Sequence, residues 1–353
     1  MHLFTSIFEM KKLAAWWLAG VIGLVLALEL LFRVLPVSTS TETGYYTDPL
    51  ILTYPSHHQW NTSTGWDLRN AQTVEANNLG YVASRDFVRN EQAVALIGDS
   101  FIEASMLPAA DRPGAQLERA LGTRPVYAMG NPGTSLLDYA ERIRYAHERF
   151  GTRDFVVLME RGDVQQSLCG SGNVNGACLD PKTLALRNDT LPAPDGVKRI
   201  VRRSALAQYL VSQLKFSAQK IWRPTAGTQT GASVSTLPAR ASGSSPSAMP
   251  EVDAVTQAFF KRVKPHISGR LVIVVDSDRI ALNRGQKPSD PARDRFIQLA
   301  RAAEVIVIDT EPLFREHLTR SSLKLEIGPY DSHFNRLGVS LFVRAVAGVL
   351  NEP

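Results

Sequence analysis

The sequence predicts an α/β body, a three-layer α/β/α sandwich built on a mainly parallel five-stranded sheet, preceded by one N-terminal transmembrane helix. Three observations carry this reading. Five short, nearly continuous apolar runs alternate with helical stretches, the pattern of parallel strands covered on both faces. One separate apolar run, Leu13 to Phe32, holds a single charge in 20 residues. The 353 residues are 44% hydrophobic and 21% charged with only 2 Cys, which excludes a collagen-like chain, a disulfide scaffold and global disorder.

From the N-terminus, the run LAAWWLAGVIGLVLALELLF spans about 30 Å at about 1.5 Å per residue, the thickness of a bilayer's hydrocarbon core. A core helix would carry a polar face, and a cleaved signal peptide usually has an apolar region of about 7–15 residues, so residues 13–32 are read as an uncleaved anchor. Lys11 and Lys12 precede it and Arg33 alone follows, which places residues 1–12 in the cytoplasm and the rest across the membrane, in the periplasm if the cell is Gram-negative. Trp16 and Trp17 sit where interfacial aromatics do. Glu29 lies near the far end, where its carboxylate can reach the headgroups or be protonated.

Residues 33–76 are expected to form a polar tether and approach segment, rich in Ser, Thr, Tyr and Pro from Pro36 to about Asn61. The body is assigned to residues 77–353. Its strands are read at Ala93–Ile97, Pro125–Met129, Asp154–Met159, Arg270–Asp276 and Glu304–Asp309. Helices are read at Ala110–Leu121, Leu136–Phe150, Val252–Val263, Pro291–Ala303 and Arg336–Leu350, the last with Leu337, Leu341, Ala345 and Val349 in one stripe. Residues 224–250, dominated by Ser, Thr, Ala, Gly and Pro, are expected to be a disordered surface loop. Beyond a membrane the surroundings are usually oxidising, so Cys169 and Cys178, separated by the flexible GSGNVNGA, are read as a disulfide worth about 2–3 kcal/mol. No His or second Cys pair lies nearby at ligand spacing, so no metal site is read. The formal charge of +5 is scattered, which argues against nucleic-acid binding.

Two motifs carry chemistry. In AVALIGDSF the first strand ends at Gly98-Asp99-Ser100, placing a serine where open α/β sheets bind ligands. Alone, this tripeptide is equally an ordinary turn with Asp or Ser capping a helix. Near the C-terminus, Pro329-Tyr330-Asp331-Ser332-His333-Phe334-Asn335 precedes the last helix. A serine hydroxyl needs a base to accept its proton, and that base needs a partner to fix its tautomer. In an extended segment Asp331 and His333 project to the same side, so the two can supply both needs.

Together, IGDSF after the first strand and DSHFNxxG before the last helix resemble the SGNH (GDSL-type) hydrolase superfamily, over roughly Asn77 to the C-terminus. Asn77-Asn78-Leu79-Gly80-Tyr81 resembles the approach segment of its membrane-anchored members, and Ala128 to Ser135 (AMGNPGTS) its glycine block. The resemblance implies a flavodoxin-like SGNH fold, with Ser100 as nucleophile, His333 as base and Asp331 as the orienting carboxylate. It implies an oxyanion hole from the backbone N–H groups of Ser100 and Gly133, and no cofactor. One block departs: where the family places an Asn that donates to the oxyanion, Met159-Glu160-Arg161-Gly162-Asp163 has Gly162. The missing donor can cost about 2.7–4 kcal/mol of transition-state stabilisation. Arg161 and Asn131 are the nearest substitute donors, although an ion pair with Glu160, Asp163 or another carboxylate at the strand end is the plainer role for Arg161. Asp331 also stands two residues before His333, where many members have three.

The implied function is a membrane-anchored extracytoplasmic esterase or O-acyltransferase, acting on O-acetyl or other esters of an envelope or exported glycan. The alternative is an inert SGNH scaffold that binds a polysaccharide or the proteins of an envelope or polysaccharide assembly.

Overall fold

A computed structural model describes residues 2–39, 42–171, 176–190, 202–214, 249–328 and 331–352. These residues form two compact units. The first takes those within Met1–Ser40, Trp60–Thr73 and Ala193–Thr230, and the second those within Thr41–Gln59, Val74–Pro192 and Gly231–Pro353.

In the first unit a single helix runs His2–Val34, and its segment Met10–Val34 has a mean hydropathy of 2.1 with none of it buried. It contains the expected anchor and is long enough to cross a membrane. Glu29 is neither free nor isolated there. Its carboxylate accepts hydrogen bonds from Arg33 Nε (2.8 Å), Ser204 Oγ (2.7 Å), Ala205 N (3.1 Å) and Leu206 N (3.0 Å). The last three open a short helix, Ala205–Gln208, that continues as a π-helical turn over Tyr209–Gln213.

The segment expected as a polar tether and approach segment contains strands. In the second unit Gly44–Asp48 pairs antiparallel with Ile51–Thr53, and Ile51 joins the main core. A further two-stranded pair, Gln59–Thr64 with Arg69–Glu75, has its central residues in the first unit. Thr and Tyr are enriched in extended backbone, so this composition suits a half-buried strand as well as a linker.

The second unit holds the sheet, whose strands are β1 (Val94–Gly98), β2 (Val126–Gly130), β3 (Asp154–Met159), β4 (Leu271–Val275) and β5 (Ile306–Asp309). All neighbours are parallel, in the order β2-β1-β3-β4-β5. This is a doubly wound arrangement whose order reverses between β1 and β3, and such sheets bind ligands outside the strand carboxyl ends at that point. Side chains alternate between two apolar layers. Ala95, Ile97, Val157, Ile273 and Val275 pack beneath helices α2 (Leu136–Phe150), α3 (Met249–Val263) and α4 (Pro291–Ala302). Val94, Leu96, Val156, Leu158, Val272 and Val274 face α1 (Pro113–Leu121), α5 (Thr310–Arg320) and α6 (Arg336–Asn351).

The strands and five of the helices fall within a few residues of their expected positions. Helix α5 was not expected. It starts directly at the end of β5, where Asp309 accepts from Glu311 N and caps it. Cys169 and Cys178 are joined in a disulfide with Cα atoms 5.1 Å apart. Of the expected loop at 224–250, residues 224–248 lie outside the described residues, and Met249 and Pro250 open α3.

Candidate active site

The end of β1 is a tight turn into a four-residue helix, Ser100–Glu103, capped by Asp99, whose carboxylate accepts from Phe101 N at 2.8 Å. Close packing fixes two glycines here. A Cβ on Gly98 would lie 2.5 Å from Ile102, and one on Gly130 would lie 2.3 Å from the Glu103 nitrogen, so both strand ends must be bare for the turn to form.

Ser100 is half-buried at this turn, and His333 Nε2 lies 2.9 Å from its Oγ. His333 Nδ1 lies 2.6 Å from Asp331 Oδ1, which also accepts the His333 backbone N–H at 3.0 Å. The two-residue spacing therefore reaches the imidazole through an extended strand, Asp331–Phe334. Burial of Asp331 favours its neutral form. The hydrogen bonds from His333 and its nearby charge outweigh burial and hold the carboxyl below its usual range.

The strand bearing His333 is placed by residues the motif explains and by one it does not. Asn335 caps α6 by accepting from Gly338 N, while its Nδ2 donates to Lys324 O and Glu326 O. Gly338 allows the close approach of Leu325 O, which would lie 2.5 Å from a Cβ. Arg279 had no signal in the sequence. Paired with Asp276, it donates to Ser332 O at 2.6 Å and lies 4.0 Å above the Phe334 ring. The Phe101 ring packs 4.5 Å from the imidazole.

Gly133 lies in the turn after β2 with φ +71°. Asn131, beside it, is fully buried, and neither amide atom of its side chain has a hydrogen-bond partner. Arg161 is committed elsewhere, to Asp278 Oδ2 at 2.9 Å and Asp290 Oδ2 at 3.1 Å. At position 162 a Cβ would meet Gln166 Nε2 at 2.5 Å and Glu160 Oε2 at 2.9 Å. The Gly162 N–H donates to that Glu160 oxygen at 2.6 Å, so a carboxyl group lies folded against the turn where the family carries its Asn.

An acidic layer underlies the turn. Burial pushes Asp99 up, and burial together with the charges of Asp99 and Glu160 pushes Asp163 up. Burial, aided by Asp99 and Asp276, takes Glu160 to about 7. Arg142, fully buried, donates Nη1 to Gly98 O at 2.6 Å and Met129 O at 3.1 Å and supplies opposing charge. Glu103 accepts from the hydroxyl of Tyr54, a residue of the expected tether, and burial raises it from 4.5 to about 7. Burial also takes Asp138 to about 6.

These raised carboxyls have a consequence for stability. Each holds its proton in the folded chain at a pH where the unfolded chain has lost it, so its contribution is fully present below about pH 4 and is lost as pH rises through about 6–7. The unfolding midpoint of the detergent-solubilised chain is expected to fall across that window, and to fall less steeply in Glu103→Gln. Circular dichroism melts at half-unit pH steps check this, and an unchanged slope in the variant counts against it.

No protein-family model and no curated protein matches the chain. Solved structures similar to it include a member of the lipolytic protein G-D-S-L family from Veillonella parvula DSM 2008, at 11% identity over 73% of this chain and 97% of that one, with a TM-score of 0.36. An alpha/beta hydrolase enzyme from the metagenome of Lake Arreo, Spain, is 15% identical over 75% and 99%, with a TM-score of 0.38. A carbohydrate esterase family 2 enzyme with a carbohydrate binding domain from Corynascus thermopiles (Myceliophthora fergusii) is 10% identical over 80% and 72%, with a TM-score of 0.34.

Proposed function

We propose that this chain is an SGNH-type serine esterase or O-acyltransferase, anchored in a membrane by the N-terminal helix and acting beyond it on ester groups, O-acetyl groups of a glycan foremost. The observation that carries the reading is the unbroken line Asp331 Oδ1, His333, Ser100 Oγ, with contacts of 2.6 and 2.9 Å at a strand end where ligands bind.

In the reaction, Ser100 Oγ attacks the ester carbonyl carbon while its proton passes to His333 Nε2. Asp331 holds the Nδ1–H and stabilises the imidazolium. The tetrahedral oxyanion is met by the backbone N–H groups of Ser100 and Gly133, with the buried, unpartnered Asn131 amide as the candidate side-chain donor. Collapse of the intermediate breaks the bond to the alcohol oxygen, which takes the proton from His333. Water or an acceptor hydroxyl then gives a proton to His333 and attacks the acyl-serine; the bond from the acyl carbon to Ser100 Oγ breaks, Ser100 Oγ takes the proton back from His333, and the free acid or the new ester leaves. The glycan and the extracytoplasmic address rest on the apolar helix, the charge bias around it and the family resemblance.

The test is labelling of the purified full chain by a serine-directed fluorophosphonate, followed by acetate release from acetylated sugars with and without an acceptor glycan. Labelling together with acetate release is the expected result. Acetate yield that drops in favour of acetylated acceptor identifies a transferase. A folded chain that takes no label overturns the enzyme reading and leaves the inert scaffold.

A further inference from the structure

The first unit carries an apolar surface that the proposed reaction does not use. The short helix Ala205–Gln208 and its π-helical continuation Tyr209–Gln213 expose Leu210, Val211 and the following Leu214 by 38%, 47% and 38%. Tyr209 stacks on Phe32 of the N-terminal helix with ring centroids 4.1 Å apart. Its hydroxyl donates to the carbonyl of Trp66, whose own side chain is 74% exposed. Three large aliphatic side chains and a tryptophan thus stand open in one small unit.

The membrane-spanning helix says what covers them. Glu29 lies five residues before the end of the apolar segment at Val34, which is about 7–8 Å along the axis at about 1.5 Å per residue. Because Ala205 N and Leu206 N bond directly to the Glu29 carboxylate, the short helix begins at that same depth. Amphipathic segments at a bilayer surface bury their apolar face about 5–10 Å into the boundary between headgroups and acyl chains, so the depths agree. Arg33, Arg202 and Arg203 place positive charge at this level, which suits lipid phosphate, and Trp and Tyr favour that zone. The same contacts give the acid in the apolar helix its function: Glu29 is the tie that holds the second element down.

We propose that Ala205–Leu214, with the Trp66 turn, lies in the interfacial layer of the bilayer beside the spanning helix, so that the protein is held to lipid by two elements. This goes beyond the proposed reaction and rests on the anchor reading. The test is spin-label accessibility in the full chain, in nanodiscs of phosphatidylcholine and phosphatidylglycerol. Single cysteines at Leu210, Val211 and Leu214 are compared with Leu24 inside the span and Val88, exposed on the other unit; the native cysteines are already joined to each other. Labels at 210, 211 and 214 are expected to lose most of their accessibility to a water-soluble nickel chelate relative to 88 and to gain accessibility to oxygen. If 24 is immersed while all three match 88, the interfacial proposal fails and the anchor stands. A water-exposed label at 24 removes the anchor reading and this proposal with it.

Discussion

Ser100→Ala is expected to remove fluorophosphonate labelling completely and to lower ester turnover by about 10⁶-fold, the scale on which a serine nucleophile and its base act as a unit. His333→Ala should cost nearly as much, and the double variant little more than either alone, because neither residue works without the other. Asp331→Asn keeps the shape but presents the wrong group to His333 Nδ1, and a loss of about 10⁴-fold in kcat is expected from the misplaced tautomer. Steady-state kinetics on an activated ester, with melts to show that each variant is folded, measure all four. A His333→Ala protein that keeps more than a tenth of the wild-type rate would remove the histidine from the mechanism.

Arg142→Leu is expected to destabilise the fold by about 3–5 kcal/mol, the usual effect of deleting one member of a buried charged group. Arg142 is 1% exposed and binds the carbonyl oxygens at the ends of both β1 and β2. Its loss leaves Gly98 O without that donor and the buried Asp99 and Asp138 without their opposing charge. Arg142→Lys should recover part of the loss through charge alone. Urea unfolding followed by circular dichroism reads both, and a change below about 1 kcal/mol would show that the acidic layer is neutral without the arginine.

How far the sequence reached differed between backbone and site. The five strands were legible because parallel strands buried on both faces leave unbroken apolar runs, and Ser100, Asp331 and His333 because each stands at a run's edge beside glycine or a helix cap. Arg142 and Arg279 were not legible. Both sit on helices among other charged residues, and only the tertiary contacts with Gly98 O and Ser332 O distinguish them from solvated arginines. Tyr54 was hidden in the same way, inside a Ser/Thr-rich stretch whose hydroxyl partner, Glu103, lies 49 residues on. The Asn-to-Gly departure was visible, but the Glu160 carboxyl folded against Gly162 is a matter of backbone course that spacing does not encode.

The contact between Ser100 and His333 joins residues 233 apart in sequence. At a synthesis rate of roughly 5–20 residues per second, a growing chain carries its serine for roughly 10–50 seconds before the histidine exists. In the folded chain the segment that carries the imidazole is held by Asn335, which caps the last helix and binds Lys324 O and Glu326 O, and by the packing of that helix on the sheet. On the proposed mechanism, a chain that stops short of His333 therefore carries a serine without its base, and is expected to be inert wherever in the cell it stalls.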